Sequence, residues 1–253
     1  MTKINKDLVY DPIHDLKLDL YQNETSGKKQ VSIILIHGGG WFRGSKDNET
    51  QLAAKLLEAG YNVIVPDYRL APPSFYPAPL KDMNQVYNWI QDKFPESKIA
   101  AVGTSVGGTM AVELAIKYGI PAVSLSGIFD IEKWILKHHD VKAKLSSGKG
   151  ETPEDQQKIN ESFYKGFIMN YLNNDEKLLE QATPYYRVKK TTGPVYLFNS
   201  LSELAPLSGV LKMEKSLIKK QVPTWVQFIP GTGHGGDYAL SVVEDIANFI
   251  EKY

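Results

Sequence analysis

The sequence predicts an α/β fold in which helices cover both faces of a mostly parallel sheet. Two observations carry this prediction: short apolar runs recur along the chain, and amphipathic stretches with helical spacing separate them. Runs that are apolar at nearly every position are typical of strands buried on both faces, as in a parallel sheet. The runs that favour strands are 31–36, 61–66, 99–102, 122–126, 195–199 and 224–229. Because the alternation is continuous, we expect the 253 residues to form one domain, 1–253.

The amino-acid composition argues against several kinds of binding partner and of chemistry. Lysine and arginine together number 29, as do aspartate and glutamate, so no net charge attracts nucleic acid or an anionic membrane. The absence of cysteine excludes disulfides, thiolate metal ligands and a cysteine nucleophile. Residues 1–7 are polar, and no segment reaches the roughly 20 apolar residues of a membrane span. We therefore expect a cytoplasmic protein that acts on a small molecule. The oligomeric state stays open, a homo-oligomer included.

A glycine-rich loop follows the first predicted strand. After residues 31–36 the chain reads His37-Gly38-Gly39-Gly40-Trp41. Consecutive glycines allow backbone N–H groups to face a ligand without obstruction by side chains, although such a run is also a common turn. As a working hypothesis this loop binds a developing oxyanion.

Charged residues follow the second predicted strand, 61–66. Asp67 and Arg69 lie on either side of Tyr68. They could bind a carboxylate on a substrate. The simpler expectation is a structural ion pair between Asp67 and Arg69 that shapes the glycine-rich loop.

The third predicted strand leads into a serine held between glycines. Residues 103–107 read GTSVG, between the apolar run 99–102 and a helical pattern over 109–118. A serine on a sharp strand-to-helix turn is exposed, and the helix N-terminus behind it stabilises negative charge. Small neighbours let strand and helix pack closely. The pattern favours Ser105 as a nucleophile, the alternative being an ordinary glycine-rich turn.

A long segment, 127–194, separates the fourth strand from the fifth. It contains a helical pattern over 159–172 and an apolar group around Trp134, so an amphipathic helix pair that packs into the core is one interpretation. The other is a cap over the site, which would cover about residues 131–190 and exclude water. Residues 142–154 offer few apolar anchors and are expected to be its most mobile part. His138-His139-Asp140 is not expected to bind metal, because adjacent helical residues point in different directions.

The last predicted strand, 224–229, precedes a loop that carries one histidine. Residues 231–236 read GTGHGG, which places His234 beyond the carboxyl end of the strand. The glycine-rich loop and Ser105 also follow strand ends, and in a parallel sheet these ends share one edge, where ligands bind. Histidine is well suited to take a proton from serine near neutral pH.

Taken together, these motifs resemble the hormone-sensitive-lipase-like and feruloyl-esterase-like branch of the α/β-hydrolases. The resemblance extends from residue 18 to His234. It is carried by residues 37–47 (HGGGWFRGSKD), 67–72 (DYRLAP), 76–79 (YPAP), Asp82, Trp89, 103–108 (GTSVGG), 126–130 (SGIFD) and 230–235 (PGTGHG). The resemblance implies an α/β-hydrolase fold with a cap inserted before the penultimate strand. It also implies that Ser105 is the nucleophile and His234 the general base. The N–H groups of Gly39, Gly40 and Val106 would bind the oxyanion, and His37 would brace their loop.

The third member of the triad is ambiguous in sequence. In the family that the chain resembles, an aspartate follows the penultimate strand and a proline comes a few residues later. Counting forward from the strand 195–199 places Glu203 at the acid position, whereas counting backward from Pro206 places Ser202 there. We favour Glu203, because only a carboxylate can hold the histidine tautomer. If Glu203 is a solvated loop charge, Asp130 is the main substitute.

These observations predict a serine carboxylesterase for short-chain acyl esters, acetylated or aryl esters included, with a Ser-His-Glu triad and an acyl-enzyme intermediate. Neither cofactor nor metal is expected. Residues expected from their positions to form the pocket are Trp41, Phe42, Tyr76, Phe129, Trp134 and Phe163. The alternatives are an arylformamidase-like amidase, a carbohydrate acetyl or feruloyl esterase, and a catalytically inactive hydrolase-fold binding protein.

Overall fold

One twisted sheet organises the molecule. The structure, a computed structural model, describes residues 2–23 and 30–253, so residue 1 and residues 24–29 of the expected domain 1–253 lie outside the described residues. Within these ranges the sheet has eight strands in the order β1-β2-β4-β3-β5-β6-β7-β8. They are β1 (Thr2–Asp11), β2 (Leu16–Asn23), β3 (Val31–Ile36), β4 (Asn62–Pro66), β5 (Lys98–Thr104), β6 (Ala122–Leu125), β7 (Val195–Ser200) and β8 (Thr224–Ile229).

The predicted parallel arrangement is confirmed for β3 to β8, which pair with one another in parallel. The apolar-run pattern does not predict β1 or β2, which extend the sheet as an antiparallel hairpin against β4. In β2 the apolar residues Leu16, Leu18 and Leu20 alternate with polar ones, so the strand has period two and no continuous run. β1 is charged and exposes Ile4 and Val9, as an edge strand can.

Helices cover both faces of this sheet. They are α1 (Thr50–Glu58), α2 (Ala78–Lys93), α3 (Val106–Tyr118), α4 (Glu132–Lys137), α5 (Pro153–Tyr171), α6 (Leu179–Ala182), α7 (Leu207–Lys219), α8 (Gly236–Ala239) and α9 (Val243–Lys252). Helix α3 is followed by the capping residue Gly119, whose φ of 73° is readily adopted only by glycine. Helix α5 begins where Thr152 accepts a hydrogen bond from the Asp155 N–H at 3.1 Å and Pro153 takes the first helical position.

Two hydrophobic cores lie on opposite faces of the sheet. In β3, Ile34 and Ile36 belong to one core, whereas Ile33 and Leu35 belong to the other. Each strand residue therefore meets apolar side chains on its own face, which explains why the central strands are apolar throughout. All four residues are fully buried.

The segment between β6 and β7 contains α4, α5 and α6. Trp134, Phe163, Tyr164 and Phe167 are buried in the same core as the facing residues of the sheet, so these helices pack into the core. Helix α5 begins before the predicted residue 159, because the capping residues lie at 152–153. The backbone N–H of Lys144 donates to Ser162 O at 2.9 Å, which holds part of residues 142–154 against α5. The expected mobility of that stretch stays a prediction.

Candidate active site

Ser105 occupies a strained turn between β5 and α3. Its φ of 53° and ψ of −124° lie outside the regions that non-glycine residues prefer. The Ser105 N–H donates to Leu125 O at 2.7 Å, which ties the turn to the end of β6. A Cβ on Gly103 would lie 2.2 Å from the Gly107 carbonyl carbon, and a Cβ on Gly107 would lie 2.1 Å from Ile36 O. Glycine at 103 and 107 therefore permits the close packing that exposes the serine hydroxyl.

His234 lies within hydrogen-bond distance of this hydroxyl. Its Nε2 is 2.8 Å from Ser105 Oγ. The His234 N–H donates to Asp237 Oδ2 at 2.8 Å, which fixes the loop after β8. The His234 side chain is 25% exposed, so the imidazole contacts the site on one side and solvent on the other.

Glu203 contacts the opposite edge of the imidazole. Its Oε2 is hydrogen-bonded to His234 Nδ1, and its side chain is fully buried. Its Oε1 accepts hydrogen bonds from Ser200 N at 2.7 Å and Ser126 Oγ at 2.8 Å. The carboxylate thus has a partner on each oxygen, as a buried charge requires.

The structure does not bring Asp130 to the histidine. Asp130 forms an ion pair with Lys212, and its Oδ2 accepts a hydrogen bond from Ser208 Oγ at 2.8 Å. Both partners are on α7, so Asp130, the alternative to Glu203 as the triad acid, instead anchors that helix. Ser202 lies in the loop that carries Glu203, and its backbone N–H donates to Gly231 O at 3.1 Å.

A polar network to which the sequence analysis assigned no role supports the contact between Glu203 and His234. Ser126, with a φ of 58°, follows β6. Its Oγ accepts a hydrogen bond from Gly235 N at 2.9 Å and lies 2.7 Å from the Tyr238 hydroxyl. Burial raises the pKa of Tyr238, so its hydroxyl is neutral and can donate. The network joins both loops that carry Glu203 and His234. Its sequence signals are that Ser126 ends a predicted strand and begins the motif 126–130, which contributes to the family resemblance.

The glycine-rich loop lies beside the serine. A Cβ on Gly38 would lie 3.1 Å from Ser105 Cβ, so the two backbones are close. Gly39 and Gly40 have φ values of 108° and 63°, which glycine tolerates best, and a Cβ on Gly39 would lie 1.9 Å from Arg43 O. Val106 is the first residue of α3, where backbone N–H groups lack helical acceptors. Gly39 and Gly40 therefore lie in the loop beside Ser105, and Val106 is the residue directly after Ser105.

His37 is a buried neutral group beneath this loop. Burial lowers its pKa from 6.5 to about 4. Its Nδ1 is 2.7 Å from Gly38 O, and the Tyr68 ring stacks on it with a centroid separation of 4.1 Å. The Tyr68 hydroxyl donates to His37 O at 3.0 Å. These contacts hold the backbone at the start of the loop.

The expected ion pair between Asp67 and Arg69 is wrong. Arg69 pairs instead with Asp82 of α2, its Nε donating to Oδ1 at 2.9 Å and its Nη2 to the same oxygen at 2.5 Å. Asp67 accepts a hydrogen bond from the Lys46 N–H at 2.8 Å. The buried carboxylate of Asp82 faces the guanidinium from another element, a geometry favourable for multiple charge-assisted hydrogen bonds.

Two neighbouring cavities open at this edge of the sheet. The cavity at Ser105 has a volume of about 410 Å³ and is lined by Gly38, Gly39, Gly40, Arg43, Gly44, Asn48, Glu49, Thr104, Ser105, Phe163, Phe167, Leu204, His234 and Gly236. A second cavity of about 730 Å³ lies between α4, α5 and the loop after β7. Leu204 lines both, so the two are adjacent.

Most of the expected pocket residues lie elsewhere. Phe163 lines the Ser105 cavity, and Trp134 lines the second cavity. Trp41 and Phe129 are core residues, each 1% exposed, and Trp41 stacks on Tyr171. Phe42 packs edge-on against Phe163, and the Tyr76 hydroxyl donates to Gln181 O at 2.8 Å. The structure thus corrects four of the six expected positions, because Trp41, Phe42, Tyr76 and Phe129 contact core or neighbouring aromatic groups rather than the cavity.

Within the ranges described, no group of three or more histidine, aspartate or glutamate side chains could hold a metal ion. His138 instead contacts Trp134, whose carbonyl oxygen lies 2.7 Å from its Nδ1. No helix in the same part of the chain has the length and apolar character needed to cross a membrane.

Comparison with known proteins gives both local and global likenesses. The family model described as BD-FAE matches residues 18–203. Versiconal hemiacetal acetate esterase of Dothistroma septosporum is 30% identical over 119 residues, which are 45% of this chain and 36% of that protein. Carboxylesterase NlhH of Mycobacterium tuberculosis is 31% identical over 112 residues, 42% of this chain and 35% of that protein. The matched segments thus span about a third of the length of these relatives.

Solved structures share the fold across the whole chain. An esterase of Pyrobaculum calidifontis has a TM-score of 0.79 at 19% identity, covering 99% of this chain and 85% of that chain. A truncated carbohydrate esterase from gut microbiota has a TM-score of 0.75 at 16% identity, covering 99% of this chain and 95% of that one. These likenesses confirm the predicted α/β-hydrolase fold.

Proposed function

This chain belongs to the BD-FAE family, an esterase branch of the α/β-hydrolases, and from that premise we propose that it is a serine carboxylesterase that hydrolyses short-chain acyl esters. One observation carries the proposal: His234 contacts Ser105 Oγ through Nε2, at 2.8 Å, and Glu203 through Nδ1. Such a linear Ser-His-carboxylate arrangement turns a weakly nucleophilic hydroxyl into a nucleophile.

In the proposed reaction, Ser105 Oγ forms a bond to the carbonyl carbon of the ester while its proton passes to His234 Nε2. The N–H groups of Gly39, Gly40 and Val106 donate to the resulting oxyanion. Collapse of this intermediate breaks the bond to the alcohol, which leaves with the proton from His234. Water then attacks the acyl-enzyme by the same route, and His234 returns the proton to Ser105. Glu203 orients the imidazole and stabilises its cationic form.

The segment of residues 131–190 would act as a cap over this chemistry, within a single domain. Phe163 and Phe167 of α5 line the Ser105 cavity, so α5 contributes an apolar wall. An apolar wall excludes water and strengthens the hydrogen bonds to the oxyanion. Because Phe167 is also a core residue, this wall is anchored to the rest of the fold.

A second candidate is an esterase for acetylated or feruloylated saccharides. It is favoured by the adjoining cavity of about 730 Å³, which offers Trp134 together with the polar side chains of Gln156, Gln157 and Asn160. An aromatic face with amide groups around it suits a bulky polar alcohol. A panel of acetylated and feruloylated saccharides, assayed beside 4-nitrophenyl acetate, decides between the two candidates by their specificity constants.

The proposal is tested on the nucleophile. We expect a fluorophosphonate probe to label Ser105 of the wild-type protein, and Ser105→Ala to lower esterase turnover by about 10³-fold or more while the protein stays folded. The variant Ser202→Ala, in a neighbouring loop, serves as the matched serine control, and in it the probe should still label Ser105. Labelling of another serine, or turnover retained in Ser105→Ala, contradicts the assignment.

A further inference from the structure

The Ser105 cavity contains a carboxyl group that the proposed reaction does not use. Glu49 ends the 3-10 turn Lys46–Glu49, immediately before α1, and lines the cavity. It is only 6% exposed. The hydroxyl of Thr104 donates to Glu49 Oε1 at 2.6 Å, and Thr104 directly precedes Ser105. The carboxyl is therefore anchored one residue away from the nucleophile.

Glu49 differs from the other buried carboxyl groups of this fold. Among the described residues, five other acidic side chains that the structure buries each have a basic partner: Asp11 with His14, Asp19 with Lys46, Asp82 with Arg69, Asp130 with Lys212, and Glu203 with His234. Across the same residues, the one hydrogen-bond partner of Glu49 is the neutral hydroxyl of Thr104, which leaves Oε2 unused. Within the part of the chain that the structure describes, Glu49 is thus a buried carboxyl without a cationic partner.

The basic residue that shares this cavity is engaged elsewhere. The Arg43 guanidinium lies over the rings of Phe42 and Phe163, 5.2 Å and 5.3 Å from their centroids. It forms no ion pair with Glu49 within the described ranges. Lys46 is close in sequence but pairs with Asp19 and Asp7. The cavity therefore presents an acceptor whose charge nothing in the described fold balances.

An unpaired buried carboxylate is unfavourable, and a cation that enters the cavity removes the penalty. Burial raises the pKa of Glu49, as expected for a carboxyl without a cationic neighbour, and an ammonium group beside it would lower that pKa again. Substrates that carry an ammonium group would therefore bind more favourably in this cavity than neutral esters.

We propose that Glu49 is a specificity-determining residue that selects esters with an ammonium group close to the ester bond, through pairing of that group with its carboxylate. The inference rests on the proposed function of Ser105. It deepens that function by naming a substrate class, cationic esters, in which either the acyl or the alcohol part carries the charge.

Two pairs of near-isosteric esters test the selection. Acetylcholine and 3,3-dimethylbutyl acetate differ in a charged nitrogen on the alcohol side. Ethyl 3-aminopropanoate and ethyl butanoate differ in an ammonium group on the acyl side, and ethyl 3-hydroxypropanoate supplies a neutral hydrogen-bond donor for comparison. For at least one pair we expect a wild-type kcat/KM ratio, charged over neutral, of about 10 or more. A ratio near one for both pairs, or preference for the hydroxyl ester over the ammonium ester, overturns the proposal.

The variant Glu49→Gln removes the charge and keeps an oxygen that can accept from Thr104. We expect the ratio to fall toward one. Glu58→Gln is the matched control, since Glu58 lies at the exposed end of α1, pairs with Lys55, and loses the same charge when substituted. The control should keep the wild-type ratio. A ratio that survives in Glu49→Gln contradicts the proposal.

Wild-type protein alone keeps the inference testable if Glu49→Gln does not fold. Choline should inhibit hydrolysis of a neutral ester at a concentration at least about fivefold lower than 3,3-dimethylbutan-1-ol, and equal inhibition overturns the proposal. Failure of the underlying function looks different. In that case Ser105 is not labelled by fluorophosphonate and no ester is hydrolysed, whereas failure of this inference alone leaves labelling and neutral-ester turnover intact.

Discussion

At the scale of single residues, the carboxylate of Glu203 depends on neighbours that are far apart in the chain. Ser200 N–H and Ser126 Oγ donate to one oxygen, and His234 contacts the other. These contacts hold the carboxylate in place beside the imidazole, as the proposed orienting role of Glu203 requires. Glutamate is one methylene longer than aspartate, and the contacts from Ser126 and Ser200 fix the position of that longer side chain.

The first prediction at this scale concerns Glu203. We expect Glu203→Gln to lower kcat by at least about 10²-fold, because an amide cannot stabilise the imidazolium that forms as Ser105 attacks. Glu203→Asp should be impaired less, since the charge remains but the carboxylate is withdrawn. Ser202→Ala should change turnover less than about tenfold. Steady-state kinetics on a short-chain ester measures all three.

The outcome that would contradict this assignment is specific. If Glu203→Gln retains near-normal kcat while Asp130→Asn abolishes turnover, the acid is Asp130. Because Asp130 pairs with Lys212, a thermal unfolding curve of Asp130→Asn must accompany the kinetics, so that loss of folding is not read as loss of chemistry.

At the scale of elements, the strand-to-helix turn depends on backbone contact between β3, β5 and α3. Gly107 brings the first turn of α3 against Ile36 at the end of β3. The same contact keeps the glycine-rich loop, which begins at the next residue, beside Ser105. Fold stability and the position of the loop therefore depend on one close approach.

We predict that Gly107→Ala lowers the free energy of unfolding by more than about 3 kcal/mol, or prevents folding, because its Cβ would overlap a backbone oxygen that cannot move alone. Gly148→Ala is the control, since a Cβ there would meet only Ile159 side-chain atoms at ordinary contact distance, 3.9 Å or more. Urea unfolding of both variants measures the difference. Equal stability of the two would show that α3 can shift away from β3.

At the scale of the whole molecule, helix α5 of the proposed cap packs into the core of the sheet and also lines the Ser105 cavity. Phe163 and Phe167 of α5 line a cavity of about 410 Å³, and both are buried. A cavity of this volume accommodates small ligands. We therefore expect the size of the substrate to be limited by residues that also stabilise the fold.

The expected consequence is a preference for short acyl chains. Acetyl to butyryl esters should have kcat/KM values at least about tenfold above those of esters with about eight acyl carbons or more. Phe163→Ala should shift the preference toward longer chains, whereas Tyr76→Phe should leave it unchanged, because Tyr76 does not line the cavity. A 4-nitrophenyl ester series measures the profile. A steady rise through long chains, or activation at a lipid interface, would refute this prediction.

Burial of neutral His37 makes stability depend on pH. The native pKa of about 4 lies below the ordinary 6.5, so between these values the unfolded chain binds a proton that the native chain does not. The contribution of neutral His37 to the free energy of unfolding is fully present above pH 6.5. It is lost as pH falls toward 4, by about 3 kcal/mol. We expect His37→Gln to flatten the dependence of unfolding free energy on pH across this window. His139→Gln, at an exposed histidine, should retain the wild-type slope, and parallel curves for His37→Gln would refute the prediction.

The sequence was sufficient to predict the alternation of β3 to β8 with helices, since residues buried on both faces of a sheet must be apolar. It was also sufficient to predict that Ser105, His234 and the glycine-rich loop lie at one edge, because the ends of parallel strands meet there. The same reasoning did not predict β1 and β2, because both strands mix polar and apolar residues and have no continuous apolar run. The forward count to Glu203 used strand register, which is local information.

Only the tertiary structure decided which side chains meet. Trp41 and Phe129 are core residues, Arg69 pairs with Asp82, and Ser126 and Tyr238 contact the loops of Glu203 and His234. The carboxyl of Glu49, from a turn before α1, reaches the cavity beside Ser105. These contacts join residues far apart in sequence. Local patterns report which residues are buried and where the chain turns, whereas the direction of a side chain and its partner depend on the packing of whole elements.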